Sequence, residues 1–130
     1  MSKIKSSNTK LETDFLALLS SKIYPLGYRY RKHYSKLIGK PDIVFVSKKV
    51  VIFIDGDVWH GYNYLKLGKK LPKKYWLKKI KRTIKRDKVY SLKLKALGWK
   101  VVRISEHNIK KNPLKQVIKV VKLLKLKNLN

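Results

Sequence analysis

No cysteine occurs in this chain of 130 residues, which excludes disulfides, thiolate-held zinc and a cysteine nucleophile. Acids are almost as scarce, seven against 34 lysines and arginines, for a formal charge of +27. That imbalance exceeds what solubility needs and points to a polyanionic partner, nucleic acid first among them. A base composition that favours lysine codons accounts for part of the excess and leaves most of it to binding. Long apolar runs are missing too: none exceeds five residues, far short of the roughly 20 that span a bilayer, and no signal-peptide core follows Met1. A soluble, intracellular protein of the cytoplasm is therefore expected. Its length suits one domain, 1–130, able to bury about two-thirds of its unfolded surface.

What is present concentrates between Pro41 and Gly61, PDIVFVSKKVVIFIDGDVWHG. Two apolar runs, Ile43–Val46 and Val50–Ile54, flank a Ser47-Lys48-Lys49 turn and predict an antiparallel pair of strands. Upstream, residues 1–8 are polar and basic and suit a flexible arm. Thr9 to Glu12 reads as a capping box that opens a helix with Leu11, Phe15, Leu18, Leu19 and Ile23 inward, closed by Pro25 and Gly27. Tyr28, Tyr30 and Lys32 alternate with Arg29, Arg31 and His33 as in a half-exposed strand with a basic face.

Downstream, Gly56 to Leu71 suits a long functional loop. Pro72 then opens a helix with Trp76, Ile80, Ile84, Leu94 and Leu97 inward and eleven basic residues between Lys73 and Lys95, capped by Gly98. Trp99–Ser105 follows as a strand, and Asn112-Pro113 starts a last helix with Leu114, Val117, Ile118, Val121 and Leu124 inward. The order predicts a three-layer α/β domain, a mixed central β-sheet flanked by helices.

Three of the seven acids fall between positions 42 and 57. Strands pair about 4.8 Å apart, so Asp42 opening one and Asp55 closing the next can converge on one cation. Magnesium takes oxygen ligands and keeps several waters, so Asp42, Asp55 and the backbone carbonyl of Ile54 form a plausible partial shell. The plainer alternatives are a turn acid after Pro41 and an Asp-Gly turn at Asp55. His60 follows five residues later, and histidine's ordinary pKa of about 6.5 suits a general base or a group that positions water. Trp59 and Trp76 could stack on bases, although core packing explains Trp76 as well. His33 and His107 read as surface or DNA-facing residues.

Glu12, Pro41-Asp42, the Phe53–His60 segment ending in Trp59-His60, Tyr75-Trp76-Leu77 with Ile80, Arg86-Asp87, Leu97-Gly98-Trp99 with Val101, and Glu106 occur in an order that resembles the very short patch repair (Vsr) endonucleases. These are a branch of the PD-(D/E)xK superfamily. The resemblance implies a restriction-endonuclease-like fold and Mg²⁺-dependent hydrolysis of a phosphodiester bond in duplex DNA, with nicking at T:G mismatches left by 5-methylcytosine deamination. It implies catalytic roles for Asp42, His60 and Glu12, where Glu12 would otherwise be only the capping-box acid, and the strand-end position of Asp55 adds that acid to the catalytic candidates. It implies base stacking by Trp59 and Trp76, while the basic faces of the strand and helix read above make Arg29, Arg31, Lys73 and Lys74 the expected DNA contacts.

Three departures stand out. Asp55 occupies the place of a second histidine, and Asp57 that of the superfamily lysine. Val58 replaces a usual aromatic. Asp57, Tyr62, Tyr64 and His107 stand where structural zinc ligands would be, so no structural zinc is expected. Glu106 reads as a supporting acid. A monomer that works beside mismatch-repair proteins is the expected setting. The competing expectations are a homing or restriction-type sequence-specific nuclease of the same fold, and a catalytically inactive nucleic-acid-binding protein.

Overall fold

The computed structural model describes residues 2–56 and 73–126. Helix α1 (Ser2–Ile23) leads through a 3-10 turn (Tyr24–Leu26) to strands β1 (Arg31–Lys32), β2 (Ile43–Phe45) and β3 (Val50–Asp55). Helix α2 (Lys73–Ala96) precedes β4 (Lys100–Ser105), and α3 (Glu106–Lys111) and α4 (Pro113–Lys125) follow. The strands lie in the order β1-β2-β3-β4. β1 and β2, and β2 and β3, pair antiparallel, whereas β3 and β4 pair parallel. That mixture follows from the connections: a tight turn can only reverse a strand, whereas a parallel partner needs a crossover such as the one that carries α2.

Alternation along the strands sends side chains to two cores, one on each face of the sheet. Ile43, Phe45, Val50, Ile52 and Ile104 pack with Phe15, Leu16, Leu19 and Ile23 of α1 and Val117, Val120 and Leu124 of α4. Val44, Val51 and Phe53 pack on the other face with Leu94 of α2, and Trp99 and Val101 complete that cluster. The sheet is thus the middle of three layers, as the element order predicts. Among the described residues, no helix is long and apolar enough to cross a membrane.

Local chemistry explains several boundaries. Gly98 takes a left-handed φ of 91° after α2, and Trp99 N–H donates to Leu94 O at 3.0 Å, the expected glycine cap. Asn112 accepts from Lys115 N–H at 3.1 Å and caps α4, with Pro113 preset for its first turn. Gly39 (φ 81°) sits so close to Tyr90 and Phe53 that a Cβ there would lie 3.0 Å from the tyrosine ring.

Other boundaries correct the sequence reading. Helix α1 begins at Ser2, so the stretch expected to be a flexible arm carries helical backbone. Thr9–Glu12 accordingly lies inside the helix, with no end there to cap. β1 is two residues long, shorter than the alternation from Tyr28 to His33 predicts, and Val46 lies exposed in the turn instead of extending β2. On α2, Ile80, Thr83 and Leu94 are buried while Ile84 is exposed, as is Leu97 in the turn just past the helix end. The inward stripe of α2 therefore runs through polar residues, for a reason that lies in Arg103. On α4, Val120 is buried and Leu114 and Ile118 are exposed. A further short helix, α3, follows β4 and opens at Glu106, which is buried.

Candidate active site

Asp42 stands immediately before β2 and is tied to both neighbouring strands. Its N–H donates to Ile52 O at 3.1 Å, and its C=O accepts from His33 N–H at 3.0 Å. The carboxylate lies against β3, where Oδ2 accepts from the N–H of Ile54 at 2.6 Å. Burial pushes the Asp42 pKa up to about 6. The Ile54 N–H opposes that shift, Glu12 adds to it, His33 opposes it, and Asp55 adds again. Desolvation thus outweighs a hydrogen bond that favours the ionised form.

Helix α1 brings Glu12 to the same place. Its Oε1 is sealed from solvent and has no hydrogen-bond partner. A carboxylate oxygen left so is costly unless a proton or cation reaches it. His33, just beyond β1, places Nε2 3.8 Å from that oxygen. Glu12, His33 and Asp42 each offer one ligand atom, and these atoms lie within 4.8 Å of one another. Two carboxylates, one with a buried oxygen that lacks a partner, and an imidazole fit a divalent cation.

Asp55 closes β3, and its carboxylate is engaged by Arg103 of β4, Nη1 to Oδ1 at 2.9 Å. The same guanidinium stacks 4.2 Å from the centre of the Phe53 ring. It also donates from Nε to Ser91 Oγ at 2.8 Å and from Nη2 to Asp87 O at 3.1 Å. A further contact, 3.6 Å, joins Nη1 to Asp87 Oδ2. Asp87 and Ser91 are the polar positions of the inward stripe of α2. Arg103 thereby fastens that helix to the sheet beside Asp55.

Of the residues singled out from sequence, the fold gathers Asp42 and Glu12, with Asp55 near enough to affect Asp42 but held by Arg103. Ile54 contributes its N–H to Asp42. Arg31 and Lys74 are exposed. Arg29 is exposed but turned back on its own segment, donating to Tyr28 O at 2.9 Å and lying 4.4 Å over the Tyr24 ring. Asp57, Val58, Trp59, His60, Tyr62 and Tyr64 lie outside the described residues, as do the side chains of Lys73 and Trp76. His107 bonds Ser105 Oγ at 3.2 Å.

Sequence reasoning missed two residues. His33, expected at the surface, is 70% exposed yet faces both carboxylates. Its clue was register: β1 pairs Arg31 with Val44 and Lys32 with Ile43, so the next pair is His33 with Asp42. Arg103 was the other, an arginine set among Val101, Val102 and Ile104 in a strand whose neighbours are apolar.

Comparison with known proteins bears on this geometry. The family model described as DNA mismatch endonuclease Vsr matches residues 1–66. The type II nicking enzyme V.NmeDIP of Neisseria meningitidis serogroup C is 40% identical over 83% of this chain and 72% of its own length. The type II nicking enzyme V.HpaIIP of Haemophilus parainfluenzae is 34% identical over 93% of this chain and 87% of its own length. The DNA mismatch endonuclease Vsr of Escherichia coli strain K12 is 31% identical over 82% of this chain and 66% of its own length. With a partly buried acid pair at the sheet and relatives of this kind along most of its length, the chain belongs to the Vsr family of DNA endonucleases.

Proposed function

We propose that this protein is a Mg²⁺-dependent endonuclease that nicks one strand of duplex DNA, with T:G mismatches as its preferred substrate. The observation that carries the reading is the meeting of Glu12 and Asp42, with a buried oxygen lacking a partner, in a chain of net charge +27. Asp42, Asp55 and the carbonyl of Ile54 would hold the ion, with Glu12 at its edge. When bound, the ion neutralises the scissile phosphate and acidifies a water. His60 would accept a proton from the attacking water or orient that water. Arg29, Arg31, Lys73 and Lys74 neutralise neighbouring phosphates, and Trp59 and Trp76 stack on bases opened at the mismatch. The protein works as a monomer inside the cell, alongside mismatch-repair proteins.

A second reading, cutting at an intact sequence, draws support from relatives named as type II nicking enzymes. Incubation with matched and T:G-mismatched duplexes, with Mg²⁺ or with chelator, separates the readings. Mg²⁺-dependent nicks at the mismatch are expected. Equal cutting of both duplexes would favour the sequence-specific reading, and no cutting of either would leave a DNA-binding protein without catalysis.

A further inference from the structure

We propose that His33 is a direct ligand of the site's divalent cation and makes that site prefer a borderline transition ion over Mg²⁺. The inference rests on the reading that Asp42 and Glu12 hold a cation, and it adds a ligand that changes which cation is held.

Four observations support it. First, the imidazole and the two carboxylates already present ligand atoms within 4.8 Å of one another. Ligands about 2.1 Å from a shared ion lie up to about 4.2 Å apart, so small side-chain adjustments suffice to close the site. Second, Glu12 Oε1 is buried without a hydrogen-bond partner, and His33 Nε2 stands 3.8 Å from it, beyond hydrogen-bond reach. An ion between them would satisfy both. Third, His33 has a left-handed φ of 50°, a conformation unfavourable for a non-glycine residue that recurs where a side chain must be aimed. The bond from its N–H to Asp42 O fixes that backbone against the acid it would share an ion with. Fourth, Arg103 holds Asp55 Oδ1 at 2.9 Å, which draws on a carboxylate that an all-oxygen shell would use.

Ligand chemistry then sets the preference. Mg²⁺ is a hard ion that favours oxygen and binds imidazole poorly, whereas Co²⁺ and its neighbours accept imidazole readily. A site of two carboxylates and one imidazole suits the latter class.

The test uses the full chain, free of tag and DNA, titrated with Co²⁺ and followed by the visible absorption of the bound ion, with Mg²⁺ affinity read by competition. Co²⁺ is expected to bind at least about tenfold more tightly than Mg²⁺. His33→Asn tolerates the left-handed backbone and so keeps the fold; it is expected to weaken Co²⁺ by about tenfold or more while changing Mg²⁺ by less than about threefold. His33→Asp, which supplies oxygen in place of nitrogen, is expected to move the preference toward Mg²⁺. His107→Gln is expected to leave both affinities as they are. Unchanged Co²⁺ affinity and spectrum in His33→Asn would overturn the proposal, as would loss of the nitrogen-ligated spectrum on His60→Gln alone, with cation binding through Asp42 left standing in both cases. If Asp42→Asn changes neither affinity, the cation reading of the whole site fails instead.

Discussion

Asp42 carries a destabilising burden that the metal-free protein cannot shed at neutral pH. In the folded state its carboxyl holds a proton up to about pH 6, whereas an unfolded aspartate releases it near 3.9. Between those values the folded state binds more protons, so stability falls as the pH rises, and the penalty is complete above about 6. Its ceiling is about 3 kcal/mol, lowered by the partial exposure of the side chain. In chelator, Asp42→Asn is therefore expected to gain on the parent as the pH rises from about 4 to about 6 and to hold that gain above it, measured as the difference in denaturation midpoints. A pH-independent difference would show that burial of Asp42 is not costly. The same substitution is expected to abolish Mg²⁺-dependent cleavage while DNA affinity holds or rises, since it removes a ligand and a negative charge together. Asp42 was legible in sequence because a proline precedes it and an apolar run follows. His33 was not, because its partner is fixed by pairing across β1 and β2 and not by anything in its own segment.

At the scale of elements, α2 has two faces with separate jobs. Lys78, Lys81 and Lys85 are exposed along one side, at spacings that share a helix face. Replacing all three by glutamine is expected to reduce the salt slope of DNA binding by about 0.9 for each phosphate no longer neutralised, with cleavage at saturating protein little changed. A salt slope equal to the parent's would remove α2 from the DNA interface. The other side meets Arg103. Arg103→Met leaves Asp55 and Asp87 without that cation, and the partly buried cluster is expected to cost about 1–3 kcal/mol in chemical denaturation; Arg103→Lys keeps the charge but not the planar fork, and is expected to recover only part. Equal stability of the methionine variant and the parent would show that the bridge is incidental. The Asn112-Pro113 start of α4, the β2–β3 hairpin and the Gly98 cap were legible because each depends on a few adjacent residues. The inward stripe of α2 was misread at Ile84 and Leu97 because apolar character was the guide, while the strand opposite offers an arginine that polar side chains must meet.

For the whole molecule, three layers and a mixed sheet followed from element order, and charge announced the partner. The proposed mismatch preference rests on Trp59, beyond the described part of the chain. If Trp59 inserts at the opened step, Trp59→Ala is expected to lose preference for T:G over matched duplex while low-salt affinity persists, because unstacking costs a few kcal/mol per step and phosphate contacts do not depend on it. Retained preference in a competitive cleavage assay would assign the discrimination elsewhere.

The parallel pairing of β3 with β4 has a consequence for the order in which the protein comes into being. β2 and β3 meet across the turn at Val46–Lys49, whereas β4 reaches β3 only after the whole crossover from Asp55 to Lys100 has been made. Closing so long a loop must be offset before its contacts return anything. A chain emerging from the ribosome N-terminus first therefore carries Glu12, His33 and Asp42 on segments that precede the crossover, while the strand that steadies Asp55 is still unmade. Glu12, His33 and Asp42 are thus all synthesised before the arginine that engages Asp55, and under the proposed function the site is complete only once β4 has docked.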